Sequence, residues 1–478
     1  MPVRFRWWAA TSLFLLLLLS RLCHLGVLWT EEAYPSAAAI QLLYGKTLYL
    51  GVWYDKPPLA ALIYLLWGAH LGLALRLAGP LILSLAAALA WRFARDLWGE
   101  SEAWLAAALL VFFLVFDLPA SVIVLGPDLL MLAPHLAAVW LASRRRPLAS
   151  GLAAGVAFLF NTKGAFVLLA CLVFCPAASL PLLAGFALPN ALALAALAWT
   201  GALHAWWLQV WQWGLLYARE TPFSHPLREG IVRTLDWSGF HAALLIGAAV
   251  YFARRTCRER LRFAAWALLS LAAVAGGWRF FPRYYFQILP VAVLLGARGL
   301  AQFRPRLRAL ALLTLLVPAV RFGPRYAILA ADLLHGAPPQ WSDLNMSQDS
   351  LAAAAILNSN AKPGDTLLVW GYRPEIFAAS RMNAATPFLD SQPLTGVIAD
   401  RHLTDSLSSA PALAAANRLI LARSAPSFIA DGLGPLNPSL AITRYPDLAP
   451  WLAHYREFAR TPMTVLYRRT DSAPPAPR

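Results

Sequence analysis

Charged residues are scarce in this sequence of 478 residues: only 13% are Asp, Glu, Lys or Arg, about half the share usual in soluble domains. Hydrophobic types reach 59%. The pair of figures excludes a soluble globular chain and a disordered one. The four cysteines, Cys23, Cys171, Cys175 and Cys257, show no C-x-x-C spacing and imply no disulfide framework. Cys171 and Cys175 share one face of an apolar helix and read as packing residues. There is no P-loop, G-x-S-x-G or H-E-x-x-H. There is no D-x-D either, which argues against the Mg²⁺-diphosphate chemistry of nucleotide-sugar users.

What is present is a succession of apolar runs with a mean hydropathy of +0.57. Runs of about 20 residues are what a bilayer crossing needs, so the chain reads as a polytopic membrane protein. About eleven spans are expected, at 7–28, 75–95, 102–117, 122–142, 148–160, 165–180, 182–203, 237–253, 263–278, 284–300 and 308–323. The first keeps Arg4 and Arg6 ahead of it and lacks a small-x-small cleavage site, so it reads as a retained helix and not a signal peptide. The formal charge is +16, and arginine carries nearly all of it. Lys46, Lys56, Lys163 and Lys362 are the only lysines. The clusters Arg4/Arg6, Arg92/Arg95, Arg144–Arg146, Arg254–Arg262 and Arg298–Arg308 fall in alternate gaps. They therefore read as topology signals that place the N-terminus in the cytoplasm and the C-terminal region outside, not as a nucleic-acid footprint.

The apolar stretches 34–46 and 58–70 are too short to cross and are expected to lie as helices at the outer surface. After about residue 324, Pro, Ser, Asn and Asp rise. Residues 351–359 read as a helix, and Thr366–Trp370, Arg418–Leu421 and Met463–Tyr467 as strands. The fold class is thus an all-α membrane domain over 1–323 with a small extracytoplasmic α/β domain over 324–478, ending in a frayed S-A-P-P-A-P-R tail.

The chemistry is expected in the outward-facing segments, since ionisable groups at membrane depth are costly. Glu31 and Glu32 are adjacent, and like charges repel, so one of them should find a cation; Lys56 is the expected partner. Asp55-Lys56 precedes Pro57-Pro58, where a helix start would favour an anion beside the lysine. Asp128 follows Gly126-Pro127 and reads as a helix N-cap or as a site acid. Lys163 is the one cation in N-T-K-G and reads as a snorkelling amine or a phosphate contact. Arg279 and Arg283, among aromatics, read as interface anchors or phosphate ligands. Asp55, His204 and His225 are the only metal candidates and lack a ligand spacing.

Five segments in order carry a resemblance: T-E-E-A-Y at 30–34, Y-D-K-P-P-L at 54–59, G-P-D-L-L at 126–130, N-T-K-G at 161–164 and R-Y-Y-F-Q-I-L-P at 283–290. Together they resemble the protein-mannosyltransferase-like glycosyltransferases of the GT-C fold, whose bacterial members include the lipid A aminoarabinose transferase. V-W-G-Y-R-P-E at 369–375 resembles the outer domain of bacterial members. The resemblance implies a sugar donor carried on a polyprenyl phosphate such as undecaprenyl or dolichyl phosphate, transfer to an acceptor outside the membrane with inversion, and no required cofactor. The acceptor is a lipid, a protein or a polysaccharide. In the family the first loop usually reads Asp-Glu and the Asp is catalytic. Glu31 stands at that position here, one methylene longer.

Carried onto this chain, the candidate catalytic residues are Glu31, Asp128 and Glu32. Lys56, Arg283 and Lys163 are the donor-phosphate ligands, and Asp55, Tyr54 and Tyr284 support them. Two other functions fit a polytopic chain: a lipid or solute transporter or flippase, and an inactive relative that binds a lipid-linked sugar. A transporter gathers its charges near the midplane, whereas these gather at the outer boundary.

Overall fold

A computed structural model describes residues 3–220, 223–253, 258–336, 341–398 and 406–470. Arg254, Arg255, Cys257 and the S-A-P-P-A-P-R tail lie outside the described residues.

Helices dominate up to His335, and a five-stranded sheet follows. The first helix, Val3–Leu22, packs on the long helix Leu73–Trp98, which in turn packs on Glu100–Phe113. Phe93, Phe113, Phe263 and Trp266 are fully buried at the centre of the bundle. Among the described residues, two helices are long and apolar enough to cross a membrane, Leu73–Trp98 and Pro176–Trp199. The number rises to four if the bent pairs Pro226–Phe240 with Ala242–Ala253 and Pro305–Leu313 with Leu316–His335 each count as one. Other apolar runs are divided. The 148–180 region is two short helices, Pro147–Phe160 and Gly164–Phe174, joined at Asn161–Lys163. Helix Pro176–Trp199 leaves Leu180, Leu192 and Trp199 largely bare, a surface suited to lipid and not to water.

Lipid tails are as apolar as leucine, so close packing replaces the hydrophobic effect as the glue between membrane helices. A Cβ on Gly151 would stand 2.0 Å from the Leu182 carbonyl oxygen. Glycine therefore lets helices Pro147–Phe160 and Pro176–Trp199 touch backbone to backbone. Gly164 does the same where the chain folds back after N-T-K: a Cβ there would meet the Phe158 nitrogen at 2.4 Å.

The segment after the first helix forms two short helical pieces that pack against the C-terminal sheet domain. Helix Thr30–Leu43 is almost wholly buried, and Leu59–Leu62 continues into a 3₁₀ turn, Ile63–Trp67. The outer domain's sheet has the order β2-β1-β3-β5-β4, with β1 (Thr366–Trp370), β2 (Asn383–Ala384), β3 (Phe428–Asp431), β4 (Tyr455–Thr461) and β5 (Thr464–Arg469). β1 pairs in parallel with β2 and β3, and β5 pairs antiparallel with β3 and β4.

One expectation is corrected. Arg418–Leu421 is not a strand but the end of helix Pro411–Ala422, whose Asn417 and Arg418 donate to the Pro393 and Leu394 carbonyls. Its run R-L-I-L is too short for periodicity to separate the two states. The junction expected at 324 falls inside helix Leu316–His335, which carries Pro324 internally and ends at Gly336 in the left-handed conformation. Proline ends most helices but is tolerated where neighbouring structure holds the turn.

The start of helix Thr30–Leu43 is set by a buried ion pair. Arg76 Nη2 and Nη1 donate to Glu32 Oε1 at 2.7 Å and Oε2 at 2.9 Å. Arg76 also donates to the His24 and Val27 carbonyls, at 3.1 and 2.6 Å. Glu32 accepts in addition from the Trp29 and Leu125 backbone N–H groups. Removing one member of such a pair strands the other charge, which costs about 3–5 kcal/mol. Glu32→Ala and Arg76→Ala are each expected to lower the stability of the detergent-purified protein by about that amount, read as midpoints of thermal unfolding. A loss in both within the error of a surface substitution would contradict this account.

Candidate active site

Consecutive helical residues point about 100° apart, so Glu31 and Glu32 cannot share a direction. Glu32 turns inward to Arg76 and does not line the cavity described next; its expected place beside Glu31 in the site is corrected accordingly. Its expected partner, Lys56, pairs with Asp55 instead, Nζ to Oδ2 at 2.9 Å.

Glu31 points into a cavity of about 360 Å³ at the junction of the helical bundle and the outer domain. The cavity also receives Tyr54, Asp55, Lys56, Asp128, Lys163, Arg279, Arg283 and Tyr284. One space thus gathers all the candidate residues except Glu32, His204 and His225. They arrive from sequence positions more than 200 apart, each on a locally rigid device.

Lys56 sits on a loop held from both sides. The Tyr49 hydroxyl donates to the Lys56 carbonyl at 2.8 Å. Gln209 accepts from the Tyr54 N–H at 2.8 Å and donates to the Tyr49 carbonyl at 2.7 Å. The helix after the prolines begins at Leu59, with Pro58 as its N-cap, two residues later than a start at Pro57.

Asp128 does not cap its helix. Gly126 is the cap, and Asp128 lies in the first turn of Pro127–Leu130. Its carboxylate accepts from Asn161 Nδ2 at 3.0 Å, while Asn161 Oδ1 accepts from the Lys163 N–H at 3.0 Å. Asn161 therefore couples the second acid to the N-T-K-G turn. The motif was legible, but its asparagine's role was not, because the partner stands 33 residues away.

Arg283 bridges the two acids. Its Nη1 donates to Glu31 Oε1 at 2.5 Å, and its Nε is 3.9 Å from Asp128 Oδ2. Lys163 Nζ is 3.9 Å from Asp128 Oδ1 and 3.0 Å from the centre of the Tyr284 ring, a cation–π placement. Arg279 is buried, donates to the Tyr217 and Glu220 carbonyls at 3.0 and 2.6 Å, and stacks 3.7 Å from the Tyr217 ring centre. Four cations thus face three carboxylates, Glu31, Asp55 and Asp128, in one partly enclosed space. Such a site attracts anions.

His204 and His225 do not reach the cavity with Asp55. Among the described residues no three His, Cys, Asp or Glu side chains gather as a metal site would.

The helical bundle meets a C-terminal sheet domain over a charged cavity. This is the fold of the GT-C membrane glycosyltransferases. ArnT from Cupriavidus metallidurans bound to undecaprenyl phosphate superposes with a TM-score of 0.64 over 99% of this chain and 100% of that chain, at 13% identity. The apo form of the same ArnT gives 0.59 over 98% of each chain, at 14% identity. The archaeal oligosaccharyltransferase AglB from Archaeoglobus fulgidus, in complex with an inhibitory peptide and a dolichol-phosphate, gives 0.50 over 99% of this chain and 76% of that chain, at 12% identity. At these identities the likeness is one of fold. No protein-family model and no curated protein matches the sequence.

Burial pushes the Lys163 amine down to about 7; Asp128 opposes the shift, and Arg283 and Lys56 add to it. A lowered amine is a cation below its pKa and neutral above it. Binding of sulfate, which keeps its charge over this range, is therefore expected to weaken several-fold between pH 6 and pH 8. Calorimetric titration reads the change, and Lys163→Arg, always charged, should flatten the profile. A flat profile in the unsubstituted protein would refute the assignment.

Proposed function

We propose that the protein is an integral membrane glycosyltransferase that moves a sugar from a polyprenyl-phosphate donor to an acceptor at the outer face of the membrane. The observation that carries this reading is the convergence of Glu31, Asp128, Lys56, Lys163 and Arg283 on one cavity. The fold shared with ArnT bound to undecaprenyl phosphate and with AglB in complex with a dolichol-phosphate supports it.

The cations receive the donor's phosphate. Lys56 and Lys163 act as point charges, and Arg283 offers its planar fork. An apolar groove of about 230 Å³ opens beside them, lined by Phe158, Leu159, Phe186, Leu194 and Trp211. It shares Pro57, Thr162 and Val210 with the main cavity. That continuity suits a polyprenyl chain whose phosphate turns up into the charged space.

Glu31 is the general base. It takes the proton of the acceptor's hydroxyl or amine as that atom bonds to the anomeric carbon, and the bond from that carbon to the phosphate oxygen breaks with inversion. The electron pair leaves on the phosphate, which needs no strong acid to protonate it because Lys56, Lys163 and Arg283 meet its developing charge. No cofactor enters the step. Arg283 Nη1 donates to Glu31. A donor phosphate competes for that guanidinium, so donor binding frees the base, and donor precedes acceptor. Asp128, tied to Asn161 and Lys163, orients the acceptor and holds Arg283 as it leaves Glu31.

Charges gathered beside the outer domain, and not midway along the bundle, favour transfer over transport. Glu31→Gln is expected to lower single-turnover transfer from undecaprenyl-phosphoryl sugars by roughly 10²–10⁴-fold, the usual worth of a general base, with undecaprenyl phosphate binding retained. Lys56→Ala should chiefly weaken that binding. Transfer at the unsubstituted rate in both variants would remove the cavity as the active site.

A further inference from the structure

The outer domain does more than cover the cavity: it contributes two residues to its lining, Tyr372 and Gln392. The lining carries the cations Lys56, Lys163, Arg279 and Arg283 together with Glu31, and it shares Pro57, Thr162 and Val210 with the apolar groove. Tyr372 and Gln392 add a neutral phenol and a neutral amide, groups that hydrogen-bond hydroxyls without attracting or repelling phosphate.

Tyr372 is held with unusual firmness for a loop residue. It follows β1 at Gly371 (φ 126°), a backbone conformation that favours glycine. The next residue, Arg373, is 1% exposed. Its Nε donates to Ser350 Oγ at 2.9 Å, and its Nη2 to Asp349 Oδ2 at 3.0 Å and the Met346 carbonyl at 2.9 Å. Asp349 is fixed in turn by the Met463 N–H and the Thr464 hydroxyl, at 2.9 and 2.7 Å. On the other side, Glu375 accepts from the Thr30 hydroxyl at 2.5 Å, and Thr30 immediately precedes Glu31. The segment 372–375 thus joins the outer sheet to the first turn of the helix that carries the base.

Further bonds keep the two bodies in one register. Gln41 exchanges hydrogen bonds with the Met382 carbonyl and the Ala384 N–H, at 3.0 and 2.8 Å, and Arg381 donates to the Gly68 and Ala69 carbonyls. Tyr372 also ends a row of rings: its centroid is 6.0 Å from Tyr34, which stacks on Tyr54 at 5.1 Å. Tyr54 precedes the Asp55-Lys56 pair, so the row runs from the phosphate side of the cavity to the outer domain. Burial, then the nearby Glu31, Asp55 and Asp390 carboxylates, hold the Tyr372 phenol well above the ordinary tyrosine range. It is therefore a neutral donor at any working pH.

We propose that Tyr372, presented by the outer domain, contacts the glycosyl group of the donor and determines which sugar the site accepts, with Glu375 as the positioning residue that sets its place relative to Glu31. This rests on the reading of the cavity as a lipid-linked glycosyl transfer site. Phosphate and tail are accounted for by other walls. The face left to the sugar is aromatic and hydroxyl-bearing, which suits a ring with apolar C–H faces and equatorial hydroxyls.

The test uses the full-length protein in detergent. Its probes are undecaprenyl phosphate and undecaprenyl-phosphoryl monosaccharides of gluco, manno and arabino configuration. The unsubstituted protein is expected to bind at least one glycosylated lipid more tightly than the bare one. Tyr372→Phe should weaken binding of that lipid roughly three- to tenfold, the worth of one neutral hydrogen bond, and leave undecaprenyl phosphate unchanged. Glu375→Ala should erode the same preference, and Glu375→Gln, which keeps the acceptor for Thr30, should restore it. Three results would each overturn the proposal: no preference for any glycosylated lipid, equal losses on bare and glycosylated lipid in Tyr372→Phe, or no loss on either. Glu31→Gln run alongside separates the two readings. Full turnover in that variant defeats the transfer mechanism whatever Tyr372 does, and a dead Glu31→Gln beside a silent Tyr372→Phe defeats only the sugar contact.

Discussion

A charge outside the cavity decides where the charges inside it point. The Arg76 guanidinium, on the long apolar helix Leu73–Trp98, binds both oxygens of Glu32. Away from water this is tolerable only because four of the five guanidinium N–H groups and both carboxylate oxygens are used. Glu32 also takes the Leu125 N–H, three residues ahead of Asp128, and Arg76 takes carbonyls of the chain between the first helix and the Glu31 helix. Four segments meet at one ion pair. With Glu32 committed there, helical geometry turns Glu31 toward the cavity.

Inside the cavity, the arrangement is a balance that a ligand can tip. Arg283 sits between Glu31 and Asp128, Lys163 between Asp128 and a tyrosine face, and Lys56 beside Asp55. Lys56, Lys163 and Arg283 each lie within 4 Å of a carboxylate, and Arg279 is held by backbone carbonyls and the Tyr217 ring. An arriving phosphate exchanges one set of partners for another and needs no rebuilding of the walls. That is the preorganised electrostatics useful to a reaction whose leaving group is an anion.

The outer domain belongs to this balance. It meets the surface helices through backbone carbonyls and the side chains of buried Gln41 and half-buried Thr30 and Arg381. Its sheet is braced internally by Arg373 and Asp349. A loop so anchored positions side chains nearly as well as a helix does. A cavity formed where two bodies meet also gains polar groups from both, which is a common place for a binding site.

Much was readable from residue order. Low charge and recurrent apolar runs led to a membrane protein of helices, and the change in composition led to a small α/β domain with β1 and β5 close to where they stand. The motifs around Glu31, Lys56, Asp128, Lys163 and Arg283 marked the residues that share the cavity, because charges are rare enough in such a chain for each one to be conspicuous. Hydropathy could not say how every run divides. The break between 148–160 and 165–180 was expected and stands, but the run over 237–253 is split where Pro226–Phe240 and Ala242–Ala253 meet at 90°, a feature that does not alter mean apolarity. Nor could it say which of two adjacent glutamates faces the site, that R-L-I-L ends a helix, or that Tyr372 reaches a cavity over 300 residues from the first motif. Composition and local pattern act within a few turns of the chain. The pairings Glu32–Arg76, Glu31–Arg283 and Thr30–Glu375 depend on helical phase and on bodies distant in sequence, so only the tertiary structure decided them.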